Sequence, residues 1–121
     1  MQDASFPKSE KLCGKYAIEH LYKEGKRFVV WPMRITLLPV KDLCTRALIW
    51  APKALFRRAV HRNHLRRLMR EAYRLNKHML PQTQQFHIAF NYIDKEQQRM
   101  SVIEKAMRKA LKKIANYEKM D

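Results

Sequence analysis

Glycine is nearly absent from this chain of 121 residues. Its two glycines, Gly14 and Gly25, are too few for a glycine-rich loop that cradles phosphate through backbone N–H groups. Cysteine is equally scarce. Cys13 and Cys44 show no metal or redox spacing and are expected to be buried, reduced thiols, as suits a reducing cytosol. No apolar run approaches the ~20 residues of a membrane span. The segment Met1 to Phe6 lacks the basic-then-apolar layout of a signal peptide. The expectation is a cytoplasmic protein with no membrane partner.

Acid is the third shortage. Aspartate and glutamate total 11 against 26 lysines and arginines, a formal net charge of +15. The acids (Asp3, Glu10, Glu19, Glu24, Asp42, Glu71, Asp94, Glu96, Glu104, Glu118 and Asp121) are scattered. A protein nuclease gathers carboxylates around one or two metal ions, and no such cluster is spaced here. No Ser/His/Asp or Cys/His set stands out either. His61 and His64 are three residues apart, but the arginines around them repel a divalent cation. His64 is expected to meet RNA or water. No catalytic residue, metal ligand or organic cofactor is therefore expected on the protein, and no obligatory protein partner is evident.

What is abundant is positive charge. A domain this basic repels itself unless a partner neutralises it, and a polyphosphate backbone is the usual neutraliser, because each Lys or Arg contact releases condensed counterions. The length fits one domain, and apolar residues at 46% supply one modest core. The expected organisation is a single domain over 1–121, with an extended arm at 1–13 and a globular RNA-binding part at 14–116.

Ala17, Ile18, Leu21 and Tyr22 predict a helix over 15–24, closed by Gly25. Runs at 28–31, 33–40 and 45–51, punctuated by Pro32, Pro39 and Pro52, predict three strands joined as an antiparallel meander. The strongest helical pattern covers 57–80. Leu65, Leu68, Met69, Ala72 and Leu75 form one arc, with Asn63, Arg66, Arg67, Arg70, Arg74 and Lys77 opposite. A fourth strand is expected at 86–90. A last helix is expected at 97–116, with Val102, Ile103, Ala106, Met107, Ala110 and Ile114 inward. The fold class is α+β: a four-stranded, antiparallel-rich sheet with three helices in the order α-β-β-β-α-β-α. Trp31 and Trp50 are expected in the core.

Between Lys53 and Lys77 lie Arg57, Arg58, Arg62, Arg66, Arg67, Arg70 and Arg74, with Glu71 the only acid. A solvated helical face mixes signs. Here Arg58, Arg62, Arg66 and Arg70 repeat at i, i+4, which costs stability. Arginine also holds phosphate bidentately and stacks on bases. The candidate RNA-binding set is Lys53, Arg57, Arg58, Arg62, Asn63, His64, Arg66, Arg67, Arg70 and Arg74, with Asn63 able to read a 2′-hydroxyl or a base edge.

The stretch from Phe56 to Arg74, with Arg62-Asn63-His64 followed by Leu65-Arg66-Arg67-Leu68-Met69-Arg70-Glu71, resembles the signature of the bacterial ribonuclease P protein family. Phe6-Pro7-Lys8, Leu12 and Tyr22-Lys23-Glu24-Gly25 resemble its N-terminal segment. The resemblance covers roughly residues 6–114. It implies an α+β sandwich with a left-handed βαβ crossover, an exception to the usual hand. It implies a role in removing the 5′ leader from precursor tRNA, beside an RNA subunit that holds the catalytic Mg²⁺. The helix bearing Arg62, Asn63, Arg66, Arg67 and Arg70 would face that RNA. Ile18, Tyr22 and Lys53 would line a leader cleft between the first helix and the sheet. The chain departs from the family pattern in His64 for an arginine, Ile18 for an aromatic residue, Leu48 for a glycine and Ala54 for a lysine. A general or ribosome-associated RNA-binding module is the alternative that the same basic helix allows. A DNA-binding protein is a third, although the strand-rich flanks do not resemble a helix-turn-helix.

Overall fold

The structure, a computed structural model, describes residues 6–117. Helix α1 spans Lys15–Glu24, strand β1 Lys26–Val30, β2 Met33–Val40 and β3 Arg46–Trp50. Helix α2 spans Ala59–Asn76, β4 Gln85–Tyr92 and α3 Met100–Ala115. The expected element order and the α+β class hold. Among the described residues, no helix is long and apolar enough to cross a membrane.

The meander does not form. The strand order is β1-β2-β4-β3, so β4 inserts between β2 and β3. It pairs antiparallel with β2 and parallel with β3. The reason lies in burial. Ile88, Ala89 and Phe90 are all fully buried, and a strand apolar on both faces belongs at a sheet centre. Strand β3 alternates, with Ala47 and Ile49 buried and Trp50 exposed, and takes an edge.

One face of the sheet carries Val30, Met33, Ile35, Leu37, Ala47, Ile49, Phe86, Ile88, Phe90 and Tyr92 into the main core, beneath α2 and α3. From α2 the buried apolar residues are Leu65, Met69, Ala72 and Tyr73. Leu65, Met69, Ala72 and Asn76 recur at i, i+4, i+7 and i+11, one stripe of a helix. Leu75 falls off that stripe and is 42% exposed, contrary to expectation. Buried Asn76 satisfies its amide by donating from Nδ2 to the Ala72 carbonyl at 2.8 Å. From α3, Ile103, Ala106, Met107, Ala110, Leu111 and Ile114 are buried.

Helix α1 covers part of the other face with a smaller cluster around Leu12, Leu21 and Ala89. It packs closely because Gly25 has no side chain. A Cβ there would lie 2.5 Å from the Leu21 carbonyl oxygen and 2.8 Å from Thr36 Cγ2. The φ of Gly25 is −74°, so close approach, and not a left-handed cap, makes glycine necessary.

The first five residues of the expected arm, 1–5, lie outside the described residues. The rest is docked and not simply extended. Lys8–Glu10 form a 3₁₀ turn. Phe6 meets Tyr73 edge-on at 5.2 Å, and the Leu12 N–H donates to the Ala47 carbonyl at 2.9 Å. The cysteines also depart from expectation. Both are free, but Cys13 is exposed and Cys44 half-buried.

Candidate nucleic-acid interface

Helix α2 starts after Arg58, whose backbone is extended and whose side chain makes no capping bond. Arg62 braces the helix start in a different way. Its Nη1 donates to the carbonyls of Phe56 at 2.8 Å and Arg57 at 3.0 Å, tying the first turn to the incoming loop. Part of Arg62 is therefore architectural. At about 100° per residue, Arg66, Arg70, Asn63, Arg74 and Arg67 then fall within roughly a quarter of the helix circumference, on the side away from the core.

The ten expected RNA-binding residues divide by environment. Lys53, Arg57, Arg58, Asn63, His64, Arg67 and Arg70 are exposed, while Arg62, Arg66 and Arg74 are half-buried. Arg74 forms an ion pair with Glu71, donating from Nε at 3.1 Å, and its neighbour's carboxyl is held below the usual range by that bond. Arg66 Nη2 donates to Asn63 Oδ1, and its guanidinium lies 5.6 Å from the centre of the Trp50 ring. This cation–π contact carries the basic arc of α2 around the β3 edge onto the sheet.

The uncovered part of the α1-side face is a row in register across all four strands. Val29 is opposite Arg34, Arg34 opposite Asn91, and Asn91 opposite Trp50. Tyr22 and Asn91 exchange hydrogen bonds at 3.1 Å, which fixes the phenol at the edge of this row. Ile18 is half-buried and packs on the Leu12, Leu21 and Ala89 cluster, so it helps dock α1 on the sheet. Lys53 is exposed in the turn after β3, where the Leu55 N–H donates to the Pro52 carbonyl at 3.1 Å.

The expectation for both tryptophans fails. Trp31 is 56% and Trp50 47% exposed. Residue-level reasoning also missed Arg34 and Asn91. The alternation of β3, with Ala47 and Ile49 apolar and small or branched, was the available signal that Trp50 shares the opposite face with Arg46 and Leu48. Among the described residues, no group of three or more His, Cys, Asp or Glu side chains is placed to hold a metal ion.

Fold and surface together define an α+β protein with the cationic, aromatic-bearing surface that suits RNA: a dry two-helix layer on one side of the sheet, and an arginine arc continuous with an open face on the other. The ribonuclease P family model matches residues 6–115, and this chain belongs to that family. The ribonuclease P protein component of Porphyromonas gingivalis is 40% identical over 116 residues, covering 89% of this chain and 85% of that protein. That of Chlorobaculum tepidum is 34% identical over 82 residues, covering 63% and 53%. The fold matches the RNase P protein of Thermotoga maritima at a TM-score of 0.75 and 24% identity, over 87% of this chain and 97% of that one. A Staphylococcus aureus RNase P protein mutant matches at 0.75 and 20% identity, over 90% of each chain.

Proposed function

We propose that this chain is the protein subunit of ribonuclease P, which assists a catalytic RNA in endonucleolytic removal of the 5′ leader from precursor tRNA in the cytoplasm. The observation that carries this reading is the arginine arc of α2 on a chain of the ribonuclease P family. In this reading Lys53, Arg57, Arg58, Arg62, Asn63, His64, Arg66, Arg67, Arg70 and Arg74 face RNA. Ile18, Tyr22 and Lys53 line the leader cleft, and the open row of Arg34, Asn91 and Trp50 continues it.

Two arrangements support the division of labour. The arginines are spread along one helix, which suits successive phosphates and not a single anion. The cleft pairs stacking surfaces, Trp50 and Tyr22, with cations, Arg34 and Arg66, the combination that holds an unpaired strand without base-edge readout. Mg²⁺ in this scheme is held mainly by the RNA subunit, as the family resemblance implies. The protein neutralises phosphates and so lowers the Mg²⁺ needed to bring the enzyme RNA and its substrate together.

Reconstitution with the matching RNA subunit and precursor tRNA at low Mg²⁺ tests the proposal. Added protein should accelerate cleavage, and unchanged cleavage would refute it. Arg67→Ala, at the exposed end of the arc, should flatten the salt dependence of RNA affinity by about one unit of slope. An unaltered slope would show that Arg67 is merely solvated.

A further inference from the structure

The arginine arc and the leader cleft leave a third basic surface unused. It lies where α3 passes over β1, the outer strand of the sheet on the side away from β3. A groove of about 590 Å³ opens there, lined by Val29, Val30, Trp31, Val102, Lys105 and Lys109 among others, none of them acidic. Trp31 sits in the β1–β2 turn with more than half of its surface in water. An indole left this exposed beside lysines contributes little to folding and is well placed to bind.

The lysines have a regular spacing. Lys105, Lys109 and Lys113 recur every four residues along α3, about 6 Å apart at 1.5 Å rise per residue, and all three are exposed. Like charges so placed weaken a helix. Among the described residues none of the three joins an ion pair. Lys113 Nζ lies 4.8 Å from the centre of the Phe28 ring, so the row runs from one aromatic to another, Phe28 to Trp31.

We propose that this groove is a second strand-binding site, which takes an unpaired segment of RNA with a base stacked on Trp31 and successive phosphates on Lys105, Lys109 and Lys113. The occupant follows from charge complementarity and from the stacking platform beside a cationic track, which every base can use. The inference rests on the RNA-binding reading above, and it adds a contact on the opposite edge of the sheet from Trp50.

Anisotropy titrations of the full chain with two ligands test it: a short oligouridylate and the structured ribonuclease P RNA. In a background that weakens the other strand site, Arg34→Ala with Trp50→Phe, the changes Trp31→Ala and, separately, Lys105→Glu with Lys109→Glu should each weaken oligouridylate binding about tenfold. The double charge reversal should also flatten its salt slope by about two units. In a Trp50→Phe background, bound oligouridylate should quench the remaining Trp31 emission. Unchanged affinity in both groove variants, with native circular dichroism, would overturn the proposal. So would equal quenching by polyglutamate, which would mark a surface for acidic protein segments. Failure of the intact chain to bind either RNA would instead overturn the RNA-binding reading itself, a result distinct from loss of the groove site alone.

Discussion

Phe90 and Asn91 are neighbours in β4, yet they lie in different physical worlds. Phe90 is fully buried, with its ring 5.6 Å from that of Tyr73. Asn91 faces the open row between Arg34 and Trp50 and spends its amide on Tyr22. The strand period of two separates them. The main-core face is sealed by two helices and carries the stability. The α1 face is only partly covered, and its residues are free to be chosen for binding. Burial makes the same point through Tyr73, whose hydroxyl is pushed well above its ordinary pKa chiefly by desolvation, and so stays neutral.

The sharpest way to break this contrast is to truncate one residue on each face. Phe90→Ala should cost about 3–5 kcal/mol of unfolding free energy, read by urea denaturation, because it empties a closed core. Trp50→Ala should cost less than about 1 kcal/mol of stability and yet weaken RNA binding about fivefold or more. If Trp50→Ala unfolds the chain, the two faces are not divided as described.

Acid should sharpen the contrast at the rim of the α1 face. Asp42 accepts from Arg46 Nε at 2.9 Å, from His87 Nε2 at 2.9 Å and from the Leu43 N–H at 2.7 Å. The bond from Arg46 is the largest of the causes that hold its carboxyl well below the usual carboxylate range. A carboxylate with a depressed folded pKa contributes stability above its unfolded value, about 4, and that stability is lost as the pH falls further toward the folded value. Urea midpoints should therefore decline below about pH 4, and Asp42→Asn should flatten that decline. An identical acid limb in the variant would remove Asp42 from the account.

The smallest expected effect concerns Thr36, whose buried hydroxyl has no hydrogen-bond partner. Thr36→Val keeps the shape and removes an unsatisfied group, so it should raise stability by up to about 1 kcal/mol in the same denaturation assay. A loss of stability would mean that the hydroxyl is satisfied in solution.

Local patterns were readable in advance where the physics is local. The span of α1 and most inward residues of α3 followed from apolar spacing, except that Val102 is half-buried and Leu111 fully buried, and the arginine arc followed from helical phase. The position of β4 was not readable, because it depends on pairing between segments about forty to sixty residues apart, which no period along the chain encodes. Trp31 and Trp50 were misjudged for a related reason. Composition says that aromatics are usually buried, but strand phase and sheet position decide which face each ring meets. Gly25 looked like a simple helix stop, and only the proximity of Thr36 shows why it must be glycine. At the candidate interface, the helix residues were recognisable by residue type, whereas Arg34 and Asn91 became visible only when the strands were in register.

The insertion of β4 also sets an order of events during synthesis. Strands β1 and β2 can pair as a hairpin as soon as they emerge, since their contacts are local. Strand β3 has no partner in the hairpin and must wait through the whole of α2 until residues 85–92 arrive to bridge it to β2. The arginine helix is thus made before the strand that joins the two halves of its platform. A nascent chain halted between α2 and β4 would expose two unpaired strand edges beside a strongly cationic helix, a state suited to premature capture by any nearby polyanion, the ribosome's own RNA included.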